Sequence, residues 1–164
     1  NCKIMRDHGM SLTKKYHHIH LGFNYRMTNL QAAIGYSQIK EINKILKKRK
    51  KQQDYYYKKL NKIKQIQTRN FKIWCNPVHW LTTITINKTG LRDKLLTFLK
   101  NNKIDARQMI NPVFEAKYFK KDFKSYDYPV SLRLSKNSLH LPSGLSLKKN
   151  QIDYICDKIK TFFK

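Results

Sequence analysis

Residues 22–35, GFNYRMTNLQAAIG, constrain this chain more than any other stretch, because they specify a loop that must run into a helix start. Thr28 is followed three residues later by Gln31. That is the spacing of a capping box, in which the threonine hydroxyl accepts a first-turn N–H and the glutamine reaches back to the cap. Leu30, Ala32, Ala33, Ile34 and Gly35 follow, small enough in part for another backbone to come close. Asn24, Tyr25 and Arg26 stand in front of the cap. An amide or guanidinium beside a helix N-terminus suits a phosphate. An ordinary capped helix with a polar lead-in carries the same residues, so chemistry alone leaves both readings open.

The pattern beyond the cap predicts one helix from Asn29 to about Leu60, with Ile39, Ile42 and Leu46 as an apolar stripe continued by Tyr55, Tyr56, Tyr57 and Leu60. At 1.5 Å per residue such a helix reaches roughly 45 Å, enough to bridge two domains; a coiled coil is the alternative, although sustained heptads are lacking. After a polar connection, Trp80, Thr82, Ile84 and Ile86 alternate with Leu81, Thr83 and Thr85 as a strand. A helix with Leu91, Leu95, Phe98 and Leu99 follows, then a strand over Ile104–Ile110, a short helical turn over Ser131–Lys136 and a third strand over Leu139–Leu141. Ser146 is the expected cap of a last helix carrying Ile152, Ile155, Ile159, Phe162 and Phe163. The predicted fold class is α/β: three or so strands with helices on one face.

The net charge of +25 on 164 residues invites a nucleic-acid reading. The positive residues are mostly lysines spread along the chain, and the densest run, Lys40–Lys64, falls on the predicted helix. A solvated helix face accounts for it, and no zinc-finger or ribonucleoprotein motif is present. Three isolated cysteines, Cys2, Cys75 and Cys156, point to a reduced cytoplasmic setting, with a Cys2–Cys75 pair still open. His17, His18 and His20 lack a second ligand group downstream, so no metal site is expected. No apolar run is long enough to span a bilayer, so no membrane partner is expected. The start at Asn1 without a methionine suggests a fragment.

The string GFNYRMTNLQAAIG resembles the signature of the DegT-type (DegT/DnrJ/StrS) nucleotide-sugar aminotransferases, a group that includes the perosamine synthases. Arg6-Asp7-His8-Gly9-Met10 is similar to that family's RDHGM block, and Leu141-Pro142-Ser143-Gly144 followed by Gln151-Ile152-Asp153-Tyr154-Ile155 to its closing segment. The resemblance implies a fold-type-I transferase dependent on pyridoxal 5'-phosphate (PLP). Residues 1–28 would then end the large domain and form the dimer loop, 29–62 the connecting helix, and 63–164 the small C-terminal α/β domain. It implies a homodimer through the 20–35 loop and helix, in which Asn24 reaches the cofactor phosphate of the other subunit. Arg26 would lie near the same phosphate or hold the loop.

The resemblance further implies a nucleotide-sugar substrate, with glutamate as amino donor. Arg107, in Ile104-Asp105-Ala106-Arg107, resembles a cleft-facing arginine of the family, and with Trp80 it is the expected substrate-binding pair; a surface ion pair is the alternative for Arg107. The chain departs from the family directly afterwards, carrying Gln108 and then Asn111-Pro112-Val113-Phe114 where relatives have a Pro and a Pro-Leu-His element. The aromatic and basic residues 115–130 are expected to form a lid or packing loop. The family's Schiff-base lysine segment lies upstream of RDHGM, so no catalytic residue is expected in this chain and it should be inactive alone. Two further readings stay open: a non-catalytic remnant or split subunit of the same fold, and a basic nucleic-acid-binding module.

Overall fold

The computed structural model describes residues 1–119 and 127–164. By their contacts these fall into two units, Asn1–Asn43 and Lys44–Lys164.

In the first unit helix α1 (Cys2–Arg6) leads into a backbone pairing that joins two of the sequence motifs. His8 N–H donates to Phe23 O at 2.9 Å, Phe23 N–H to Met5 O at 2.7 Å and Tyr25 N–H to Arg6 O at 2.9 Å. Asp7 and Asn24 form an antiparallel bridge. RDHGM and GFNYR are thus two sides of one element. The contact is close enough to demand glycine: at Gly9, where φ is 69°, a Cβ would fall 1.8 Å from His20 O.

Helix α2 (Asn29–Lys40) starts where the capping box predicts: Gln31 N–H donates to Thr28 Oγ1 at 3.3 Å and Thr28 N–H to Gln31 Oε1 at 2.9 Å. It does not continue unbroken to Leu60. Glu41 N–H turns to Gln38 O at 3.2 Å, and a separate helix α3 runs over Ile42–Leu60. This tightening to i−3 bonding requires neither Pro nor Gly, so residue types carry no mark of it. The expected apolar stripe holds only at its C-terminal end: Tyr56, Tyr57 and Leu60 are buried, joined by Gln52 and Gln53, whereas Ile39 and Ile42 are exposed.

The second unit is built on an antiparallel sheet of β1 (Ile66–Thr68), β2 (Thr82–Ile86), β3 (Arg107–Gln108) and β4 (Ser138–Leu141), in the order β1-β2-β4-β3. Register sets Ile66 opposite Ile86, Ile84 opposite Leu139 and Thr82 opposite Leu141, which puts all six on one face. Helices α3, α4 (Leu91–Asn101) and α6 (Lys149–Phe162) close that face with Tyr56, Leu60, Leu95, Leu99, Ile155 and Ile159. Each fully buried Leu or Ile there is worth about 1.5–3 kcal/mol of transfer free energy. Helix α5 (Pro129–Asn137) runs directly into β4. The opposite face of the sheet is polar, with one rung of Gln67, Thr85 and Ser138 and another of Thr83, His140 and Arg107.

Several expectations are corrected. β1 lies in the stretch read as a polar connection. Trp80 precedes β2 and is not on its buried face. The strand expected over Ile104–Ile110 shrinks to Arg107–Gln108, because Ile104 N–H is spent on Leu99 O at 2.9 Å and Ala106 N–H on Ile104 O at 3.1 Å. The last helix is capped at Lys148, not Ser146, with Lys148 N–H donating to Gln151 Oε1 at 2.8 Å. The lid expected over 115–130 falls in part on residues 120–126, which lie outside the described residues.

Candidate functional site

The loop ahead of α2 gathers hydrogen-bond donors. Asn24 is exposed, and its backbone is held by the bridge to Asp7. Arg26 Nη1 lies 3.4 Å from Asp7 Oδ2, and its side chain is 65% exposed, so only part of the guanidinium is committed to holding the loop. Asp7 Oδ1 is 3.3 Å from His8 Nδ1. The first intrahelical bond runs from Ala32 N–H to Thr28 O at 2.9 Å, and Gln31 N–H is taken by the cap. The N–H groups of Asn29 and Leu30 therefore have no partner within the helix. Asn24, Tyr25, Arg26, Met27 and Gln31 line an open concavity, and among the described residues no carboxylate lines it. Amide, guanidinium and first-turn N–H groups are the chemistry that fits a phosphate dianion.

Arg107 and Trp80 belong to the second unit. The Arg107 side chain is 78% exposed, lies 3.1 Å from Asp105 Oδ2, and stands opposite His140 across the β3–β4 pair. His140 is buried, with Nδ1 hydrogen-bonded to Thr83 Oγ1 at 2.9 Å and Nε2 without a partner among the described residues. Burial pushes its pKa down, so a neutral ring sits beside the guanidinium. Arg107, His140, Asp105, Leu81 and Ser143 line a depression of about 300 Å³.

Trp80 is not among the residues that line this depression, and it is 63% exposed. Its carbonyl accepts from Arg49 Nη1 at 2.9 Å and from Ser143 Oγ at 3.3 Å, while Arg49 Nη1 also reaches Ser143 O at 3.3 Å. Arg49 thus ties the Trp80 segment to the Leu141-Pro142-Ser143-Gly144 motif. Neither Arg49 nor His140 is singled out by the sequence. Arg49 is hidden in a run of lysines, and His140 has only its place in an alternating strand to mark it. Among the described residues no group of three or more His, Cys, Asp or Glu could hold a metal ion, and no helix is long and apolar enough to cross a membrane.

Residues 1–160 match the profile of the DegT/DnrJ/EryC1/StrS aminotransferase family. The chain is 31% identical to the GDP-perosamine synthase of Vibrio cholerae over 164 residues, covering 99% of this chain and 44% of that protein. It is 26% identical to the GDP-perosamine synthase of Escherichia coli O157:H7 over 162 residues, covering 99% of this chain and 43% of that protein. Its fold matches the PLP form of Spr1654 from Streptococcus pneumoniae, a candidate sugar aminotransferase, with a TM-score of 0.86 at 21% identity, over 98% of this chain and 42% of that one. The chain therefore spans less than half the length of each of these proteins.

Proposed function

The chain belongs to the DegT/DnrJ/EryC1/StrS aminotransferase family, and on that footing we propose that it forms the C-terminal part of a PLP-dependent enzyme that aminates a nucleotide-linked keto-deoxy-sugar, with glutamate as donor. The observation that carries this reading is the donor-rich loop. Asn24 is exposed, Arg26 is partly free, and the first-turn N–H groups of a capped helix stand beside them. In this reading Asn24 donates to the phosphate of PLP held by a second copy of the chain, and Arg26 supplies positive charge while Asp7 steadies it. When bound, PLP would supply the chemistry that moves an amino group between the donor and the keto carbon of the sugar, while the residues of this chain would bind and orient. Arg107 binds the anionic part of the sugar nucleotide, and Trp80 offers an aromatic surface to the sugar. Arg49 holds Trp80 in register with Ser143. The three parts proposed for the chain are the end of the large domain (1–28), the connecting segment (29–62) and the small domain (63–164).

The nucleic-acid alternative is not favoured, since the family match runs through the lysine-rich helix. The remnant alternative is separated by experiment. Full-length protein should develop the visible absorption band of bound PLP, which glutamate should change and a nucleotide-linked keto-sugar restore. Asn24→Ala should weaken PLP binding by about tenfold, the scale of one charge-assisted hydrogen bond. A folded full-length dimer that takes up no PLP, or an Asn24→Ala variant with unchanged affinity, would count against the assignment.

A further inference from the structure

The polar face of the sheet carries a second concavity, which the loop and Arg107 leave unexplained. It encloses about 350 Å³, near the lower end of the roughly 300–1,000 Å³ usual for small-ligand pockets. Gln67, Thr85 and Ser138 come from one rung of the sheet and Thr83 from the next. Arg69 and Arg133 also line it.

Three observations give it a chemistry. First, among the described residues no Asp or Glu lines it and neither guanidinium has an ion-pair partner; Arg69 instead lies 5.3 Å from the Phe71 ring. Second, only seven of the chain's 35 basic residues are arginine, yet among the described residues this cavity is lined by two arginines and no lysine. Chance sampling of so lysine-rich a surface would favour lysine, whereas the planar guanidinium fork is what bidentate binding of phosphoryl oxygens uses. Third, the floor is ordered. Thr85 Oγ1 and Ser138 Oγ are hydrogen-bonded at 2.8 Å, and Thr83 Oγ1 is held by His140 Nδ1 at 2.9 Å. In the Thr85–Ser138 pair one hydroxyl donates to the other, which leaves the second proton for a ligand.

We propose that this concavity is a phosphoryl-anion subsite, in which Arg69 and Arg133 hold the oxygens of a phosphate or diphosphate and the Thr85–Ser138 pair donates from the sheet. It lies wholly within Lys44–Lys164 and does not depend on the Asn24 loop. The phosphoryl group could come from a free inorganic anion or from a nucleotide; the recognition chemistry is shared.

The test is a calorimetric titration of the full-length protein, loaded with PLP so that the loop is filled, with inorganic phosphate, inorganic pyrophosphate and guanosine diphosphate. If PLP does not load, the same titration is run on the Asn24→Ala/Arg26→Gln variant, which keeps this proposal separate from the assignment above. Saturable binding is expected, weakened by about tenfold or more in Arg69→Gln/Arg133→Gln, where the charge-assisted bonds are lost. Arg133→Lys keeps the charge but loses the fork and should weaken binding several-fold. Thr85→Val, which changes shape little, gives a second reading if the double variant fails to fold, with a several-fold loss expected. Equal affinity for pyrophosphate and guanosine diphosphate would assign recognition to the phosphoryl group itself, and tighter guanosine diphosphate binding would assign a nucleotide source. Absence of saturable binding to any of the three, or wild-type affinity in both the double variant and Thr85→Val, would overturn the proposal.

Discussion

Gly22 and Gly9 are in direct backbone contact: a Cβ on Gly22 would fall 1.9 Å from Gly9 N. The clash is with main chain on both sides, so no side chain can move away to relieve it. Gly22→Ala should therefore loosen the pairing of the RDHGM and GFNYR segments, at a cost of about 1–3 kcal/mol typical of overpacking. The measurement is amide hydrogen exchange at His8, Phe23 and Tyr25, whose N–H groups bridge the two segments. Protection there should fall. Gly35 supplies the contrast, since a Cβ there meets nothing within 4 Å of this chain. Within the chain alone, Gly35→Ala should stabilise α2 by roughly 0.5–1 kcal/mol through helix propensity. A loss in the full-length protein would instead report another backbone packed at Gly35.

Tyr56 is fully buried on α3, and its hydroxyl donates to Pro142 O at 2.9 Å. Burial raises the phenol pKa far above its ordinary value, so the group acts as a neutral donor at any physiological pH. Tyr56→Phe keeps the ring packing and strands the Pro142 carbonyl. A loss of about 1–3 kcal/mol follows if that carbonyl stays buried. Urea unfolding checks it: the midpoint should drop with little change in slope. An unchanged midpoint would show that Pro142 O finds another partner.

These two contacts mark what could be read from residue order and what could not. The cap at Thr28 and Gln31 was legible because both partners sit three residues apart and their chemistry is local. The alternation of Thr82, Ile84 and Ile86 was legible because the sheet buries one face. Arg49 was not, because its partners Trp80 and Ser143 lie 31 and 94 residues away. β1 is three residues long, too short to show a period. β3 starts late because the Ile104 amide is diverted to Leu99 O in the last turn of α4 and the Ala106 amide to Ile104 O, a competition invisible in hydrophobic pattern. In the candidate site, Asn24 and Arg26 were chosen by residue type and family resemblance, and the pairing of Arg26 with Asp7 came only with the fold. His140 looked like any strand residue until its register set it between Thr83 and Arg107.

Cys156 is fully buried in the core on α6, and burial pushes its thiol pKa up to about 12. The thiolate is the reactive form, so the folded protein should protect this sulfur almost completely at pH 8. Iodoacetamide labelling followed by peptide mass spectrometry should leave Cys156 unmodified in buffer and modify it in denaturant. Cys75, half-buried, provides the internal comparison. Rapid labelling of Cys156 under native conditions would mean that α6 opens readily from the sheet.

Asp153 on α6 links to α3 twice, accepting from Tyr55 OH at 2.6 Å and pairing with Lys59 Nζ. The Lys59 hydrogen bond first, and then that from Tyr55, hold the Asp153 carboxyl below its usual pKa. Asp153 in turn raises the pKa of Lys59. For a carboxylate with a depressed folded pKa, the unfolded chain binds protons first as pH falls. The contribution is then present above the ordinary aspartate value of about 3.9 and is lost as pH drops through the lower folded value. Lys59 behaves oppositely. Its share is present below the ordinary lysine value of about 10.4 and is lost as pH rises through the raised folded value. Melting temperature followed across pH should therefore show wild type and Asp153→Asn separated by a constant gap near neutrality. That gap should narrow below about pH 4 and again above about pH 10, where the partner charges disappear. A gap that stays constant to the acid limit would mean that the α3–α6 link is carried by packing and not by the ion pair.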